Sequence, residues 1–173
     1  MAIIETLTAT ALGGGFAIMG SWFTNKFNKQ NAETQRAYDK WKAKRETYLN
    51  KGEEIYSTFN VWMVNVSKIS TMYAFRMNGA YSEEELAFRL KGLEIHSQKP
   101  KLTALIDIYF PELSKNFLSL QGQVFETHKY YMENLSKSPN LPLSSEILDQ
   151  ATNFVHEAEK FQKELSEIIR SYH

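Results

Sequence analysis

Few residues of this chain have the types and the spacing that catalysis requires. The sequence has no cysteine, which excludes disulfides, thiolate metal sites and a cysteine nucleophile. It also lacks the serine-hydrolase elbow, the phosphate-binding glycine loop and the HExxH zinc motif. The internal histidines His96, His128 and His156 fall on three different predicted helices, so neither a metal site nor a cofactor is expected.

One arginine and one histidine have a spacing that could serve chemistry. Arg89 is followed by His96, about two turns further along one predicted helix. This pair resembles the arginine–histidine signature of HEPN domains, which are small helical bundles. The resemblance implies a ribonuclease whose histidine transfers protons and whose arginine stabilises phosphate charge. The pair departs from the family at Leu90, where the family has a polar residue, and it lies early in the chain. Asn153 and His156 occupy the usual late position but lack the arginine. A chance pairing is therefore favoured over a ribonuclease site.

The composition is that of one folded domain with a short appendage. Of the 173 residues 43% are hydrophobic, and the 20 basic and 20 acidic residues give no net attraction to nucleic acid. With only 8 glycines and 4 prolines, and no sustained strand alternation, long helices are favoured. We therefore predict an all-α fold, in which one N-terminal transmembrane helix continues into a long helix and then a cytoplasmic helical bundle.

Residues 6–25 have the length and the flanks of a membrane span. They carry no charge, and a helix of this length covers about 30 Å, the thickness of the hydrocarbon core. Trp22 and Phe23 lie at the basic end, where interfacial aromatic residues belong. The positive-inside rule predicts a bacterial inner-membrane protein with its N-terminus outside and its body in the cytoplasm. The basic residues that set this orientation are Lys26, Lys29, Arg36, Lys40, Lys42, Lys44 and Arg45.

Small residues recur every four positions along this stretch, in two rows. The rows are formed by Ala9, Gly13, Ala17 and Ser21 and by Thr6, Thr10 and Gly14. Such rows let helices approach closely in lipid, so we predict that copies of the chain assemble in a ring or bundle. Two other interpretations stay open: an ordinary single-pass anchor, and a soluble helix outside any membrane.

Hydrophobic residues then repeat at the a and d positions of five heptads, except at Arg45 and Gly52, which weaken the membrane-proximal half of the seam. The a positions are Tyr38, Arg45, Gly52, Phe59, Val66 and Tyr73, and the d positions are Trp41, Tyr48, Ile55, Trp62 and Ile69. Gly52 predicts a break or kink, and the density from Phe59 onward predicts a domain core. The predicted divisions are an anchor over residues 1–25, a stalk over 26–58 and a bundle over 59–173.

Local signals place the second helix. The dipeptide Asn78-Gly79 ends the long helix. Ser82 and Glu85 then form a capping box that opens a helix, and Pro100 stops it.

Further signals place the last two helices. The third helix covers residues 101–137 and is interrupted by Pro111, which lacks a donor and clashes one turn back. Residues 138–142 are the clearest loop, and Ser144 or Ser145 caps the final helix.

The whole pattern resembles the small accessory membrane proteins of type VI-B CRISPR systems. The matching features are the glycine-rich span, the basic helix after it, and a HEPN-like body with the sequence IYFPEL at positions 108–113. The resemblance implies a non-enzymatic oligomer that forms or gates a pore and depolarises the infected cell in antiviral defence. The implied partners are the lipid bilayer, further copies, and an RNA-guided CRISPR effector or its RNA; no small-molecule substrate is evident.

Two other functions remain open. The chain could be a membrane-tethered HEPN-type ribonuclease, or a non-catalytic anchor that recruits a cytoplasmic partner. The basic stretch is interleaved with Tyr38 and Trp41 and could contact anionic lipid or RNA, of which lipid is favoured because the stretch directly follows the span.

Overall fold

A computed structural model describes the backbone of residues 2–93 and 95–172, and the side chains of residues 20–93 and 97–172. These residues form helices and no strand, which confirms the predicted all-α class. The described helices are α1 (Ala2–Met77), α2 (Glu83–Leu90), α3 (Ile95–Tyr109), α4 (Ser114–Asn134) and α5 (Leu141–Ser171). A 3-10 helix, Pro111–Leu113, separates α3 from α4. The chain divides into two units, Met1–Glu46 and Thr47–His173.

The first unit has a helical backbone and exposed side chains where these are described. Every side chain of residues 20–44 is exposed, so this described stretch has no core of its own. In the part of the chain with described side chains, no helix is both long and apolar enough to cross a membrane. Residues 6–19 of the predicted span lie outside that part, and the described helix becomes charged from Lys26 onward.

The second unit is stabilised by aromatic and aliphatic side chains from α1, α3, α4 and α5. Phe59 and Trp62 of α1 are fully buried, as is Phe161 of α5. The ring centroids of Phe59 and Phe161 are 4.6 Å apart, and those of Trp62 and Phe117 are 5.4 Å apart. The a and d positions from Phe59 onward are buried or half-buried here, which confirms the predicted core.

A smaller cluster joins the last turns of α1 to α2, α4 and α5. It contains Tyr73, Met77, Leu86, Tyr131 and Ile147. The rings of Tyr73 and Tyr131 are stacked, with centroids 4.0 Å apart and planes at 6°. Leu86 is the buried residue of the short helix α2, so this cluster is what holds α2 against the bundle.

Three boundaries follow the local signals. The α1 helix ends at Met77, and Gly79 adopts a φ of +84°, which favours glycine. The Ser82 hydroxyl accepts from the Glu85 N–H at 3.1 Å, and the Glu85 carboxylate accepts from the Ser82 N–H at 2.9 Å. Pro111 ends α3 and begins the 3-10 helix. The predicted end of the long helix, the capping box and the interruption at the proline are therefore confirmed.

The predicted break at Gly52 is wrong. The α1 helix continues through Gly52, which is buried. A Cβ atom added there would lie 2.5 Å from Cγ1 of Ile169 and 3.5 Å from Cζ of Phe110. Glycine therefore serves close packing at this position, and that packing compensates its cost of about 1 kcal/mol in a helix interior.

The predicted stop at Pro100 is also wrong. The α2 helix already ends at Leu90, and Pro100 lies inside α3. An interior proline costs about 3 kcal/mol because it removes one helical hydrogen bond. The next turns carry the fully buried Leu102 and Ile106, and each such side chain stabilises the fold by about 1.5–3 kcal/mol. Their burial offsets the cost.

The α5 helix begins before the serines predicted to cap it. Its N-cap is Asn140, whose side-chain oxygen accepts from the Leu143 N–H at 3.0 Å. The Asn140 N–H donates to the Met77 carbonyl at 2.8 Å, so the cap also fixes the loop to the end of α1. Ser144 is buried within the helix and Ser145 follows it there. Neither caps α5.

Candidate functional site

The aromatic–basic segment, defined as residues 20–45 of α1, is the strongest candidate for a contact outside the chain. Its large rings are exposed: Trp22 by 57%, Phe27 by 64% and Trp41 by 56%, with Phe23 and Tyr38 exposed to a similar degree. A helix in water normally buries such side chains against a core. These rings are instead available to an external apolar phase.

Cationic side chains lie over the exposed tryptophans. The Lys26 ammonium is 5.1 Å from the Trp22 ring centroid, and the Arg45 guanidinium is 5.6 Å from that of Trp41. Trp22 also contacts Phe23 edge-to-face, with centroids 5.2 Å apart. Cation–π attraction at exposed sites contributes about 0.5–1 kcal/mol. The segment thus presents apolar rings and positive charge together, which suits the boundary of an anionic lipid surface.

The predicted membrane-surface and packing residues fall on this helix. Among the basic residues Arg45 is half-buried, and the exposed ones are Lys26, Lys29, Arg36, Lys40, Lys42 and Lys44. Of the predicted packing residues, Ser21 is described and exposed. The side chains of the others lie outside the described residues: Thr6, Ala9, Thr10, Gly13, Gly14 and Ala17.

The predicted catalytic residues are not brought together in the described part of the chain. Arg89 is exposed in the last turn of α2, with its guanidinium 4.6 Å from the Tyr81 ring centroid. Asn153 and His156 are exposed on α5, and no described contact joins them to Arg89. The side chain of His96 lies outside the described residues. The described geometry therefore offers no arginine–histidine active site.

A tyrosine–histidine pair that no sequence motif indicates lies between α1 and α4. The Tyr73 hydroxyl is 2.9 Å from Nδ1 of His128. Burial, with a smaller contribution from the neighbouring Tyr131, raises the pKa of Tyr73 to about 12. The phenol is therefore neutral near pH 7. The two residues are 55 positions apart, so only the fold could reveal their contact.

Comparison of the chain with known protein families, curated proteins and solved structures finds no match. Among the described residues, no three histidine or acidic side chains are grouped so that they could hold a metal ion. A functional assignment therefore depends on the aromatic–basic segment and on the stretch that precedes it in the sequence.

Proposed function

We propose that this chain is an oligomeric membrane effector that forms or gates a pore and depolarises the membrane in antiviral, CRISPR-linked defence. Residues 6–25 would be a single transmembrane helix of a bacterial inner membrane, with the N-terminus outside. The HEPN-like helical bundle would lie in the cytoplasm. The observation that carries the proposal is the exposed aromatic–basic segment, which begins inside the uncharged stretch 6–25 and extends beyond it.

The composition of that segment favours a location at the membrane boundary rather than in water. The exposed rings would contact lipid, and they belong to Trp22, Phe23 and Phe27. The ammonium groups of Lys26 and Lys29 would reach the lipid headgroups. Anionic lipid attracts each such cation by about 1 kcal/mol near the surface. The bundle, by contrast, has a buried core of its own.

Assembly of copies follows from the small-residue rows. Ala9, Gly13 and Ala17 would let neighbouring helices pack with close backbones. Threonines beside them would form interhelical hydrogen bonds or face a polar lumen. A ring of such helices would pass ions without a catalytic residue.

The test is the mass of the detergent-solubilised full-length protein together with the membrane potential of cells that express it. We expect a multi-subunit particle and depolarisation. Gly13→Leu should abolish both, because a bulky side chain separates the packed helices. Gly15→Leu is the matched control, since two residues of α-helix turn the chain by about 200° and place Gly15 on the side opposite Gly13. An unaltered particle mass in Gly13→Leu would contradict the packing face.

Two other outcomes identify the alternatives. RNA cleavage that is lost in His96→Ala or His156→Ala would assign a tethered ribonuclease. A membrane-bound particle that neither cleaves RNA nor changes the membrane potential would leave a passive anchor. Either result overturns the pore.

A further inference from the structure

A cavity of about 230 Å³ lies between α1 and α4 in the second unit. Its lining residues are Val66, Ile69, Ser70, Tyr73, Val124, Thr127 and His128. His128 is exposed while Val66 is buried, so the cavity reaches from the surface toward the core. No charged side chain is among these described lining residues.

Two of the three hydroxyl groups of the lining, those of Ser70 and Thr127, act only as acceptors toward a ligand. The Ser70 hydroxyl donates to the Val66 carbonyl at 3.1 Å, and the Thr127 hydroxyl donates to the Gln123 carbonyl at 3.1 Å. A hydroxyl has one proton and two lone pairs, so each oxygen keeps acceptor capacity. Both residues are buried. A ligand that donates a hydrogen bond to these oxygens would therefore bind with a more favourable free energy than one that leaves them unpaired.

The Tyr73–His128 pair forms the polar side of the entrance. The Tyr73 hydroxyl and Nδ1 of His128 are 2.9 Å apart and share one hydrogen bond, in which the tautomer of the imidazole decides which atom donates. This bond holds the histidine ring in place between α1 and α4. The remaining walls are aliphatic, which favours a ligand with an apolar body.

We propose that this cavity binds a small, uncharged aromatic molecule that carries one N–H or O–H donor, about the size of indole. A dry apolar cavity of about 150 Å³ holds benzene, so the larger volume here admits a fused bicyclic ring. An ion is disfavoured because burying a charge without a partner is costly. The site belongs to the bundle and is independent of the proposed membrane function.

Indole itself is the probe, titrated into the full-length protein and followed by calorimetry. We expect saturable binding of one indole per chain and a higher unfolding temperature when indole is present. Val124→Phe should weaken the affinity at least tenfold, because the larger ring occupies the cavity. Val61→Phe is the matched control, since Val61 is exposed on α1 and does not line the cavity.

The donor is tested with 1-methylindole, which keeps the ring and lacks the N–H. We expect it to bind about 2- to 12-fold more weakly than indole, the range of one hydrogen bond. Thr127→Val or Ser70→Ala should remove that preference while leaving the affinity for 1-methylindole unchanged. Absence of saturable indole binding, or equal affinity in wild type and folded Val124→Phe, would overturn the site. Equal affinity for both probes in the wild type would overturn the proposed donor.

Discussion

The aromatic–basic segment and the bundle use the same residue types for opposite purposes. Trp62 in the bundle is 1% exposed and packs among phenylalanines, whereas Trp22 and Trp41 are 57% and 56% exposed. Apolar side chains in the bundle therefore stabilise the fold, and those in the segment are available for an external contact. The comparison separates residues whose loss should unfold the protein from residues whose loss should leave it folded and change what it binds.

The largest effect is expected for Trp62→Ala. Removing a fully buried indole leaves a cavity, and such truncations cost about 3–5 kcal/mol of the free energy of unfolding. Urea denaturation followed by circular dichroism would measure the loss. Trp41→Ala is the matched control, and its free energy of unfolding should stay near that of the wild type. Equal losses in the two variants would erase the distinction between the regions.

Gly52→Leu should be the next most harmful change. The added side chain would overlap Ile169, and overpacking a core costs about 1–3 kcal/mol. Gly122→Leu makes the same substitution on α4 where a Cβ meets nothing within 4 Å, and it should stabilise the helix by roughly 0.5–1 kcal/mol. Denaturation midpoints would compare them. A stabilising Gly52→Leu would show that α1 and α5 are not closely packed at this point.

Tyr73→Phe should change stability mainly at high pH. Burial raises the pKa of Tyr73 from 10.0 to about 12, so its contribution is present below pH 10 and is lost as the pH rises toward 12. The variant should lose less stability than the wild type over that interval, after an initial cost of about 0.5–1.5 kcal/mol for the bond to His128. Tyr56→Phe, at an exposed position of the same helix, should keep the wild-type pH profile. The same profile in Tyr73→Phe would contradict a buried phenol.

The smallest effect is expected for Glu54→Gln. Hydrogen bonds and charge attraction from Lys101 of α3 and from Lys51, each 2.8 Å away, lower the pKa of Glu54 to about 2. Its contribution is therefore present above pH 4.5 and is lost as the pH falls toward 2. The free energy of unfolding of the variant should fall less steeply than that of the wild type as the pH is lowered. The difference should be small because both ion pairs of Glu54 are partly exposed to solvent. Glu53→Gln, one residue earlier and exposed, should retain the wild-type slope.

Local chemistry predicted much of the fold. Three confirmed features each depend on a few neighbouring residues: the capping box at Ser82, the end of the long helix before Gly79 and the interruption at Pro111. The errors at Gly52 and Pro100 have another origin. There, contacts with distant residues override a local preference, and a single sequence does not reveal which partners will be near.

The candidate site also has parts that the sequence predicts and parts that depend on contacts between distant residues. Exposure of the rings in residues 20–45 agrees with a pattern of aromatic and basic residues that is visible in the sequence. The pairing of Tyr73 with His128 is not predictable from the sequence, because the two residues are 55 positions apart and belong to different helices. Arg89 lies against Tyr81 at the surface, and the side chain of His96 is outside the described residues, so the Arg89–His96 pair stays a prediction.

Fractionation of cells that express the full-length chain tests the membrane role of the segment most directly. We predict that the protein sediments with membranes, resists extraction with salt and runs in detergent as a multi-subunit particle. Serine at Trp22, Phe23 and Phe27 should reduce membrane association, whereas serine at the exposed bundle residues Leu118, Phe125 and Met132 should not. Recovery of the wild-type protein in the soluble fraction as a single subunit would contradict the proposed function.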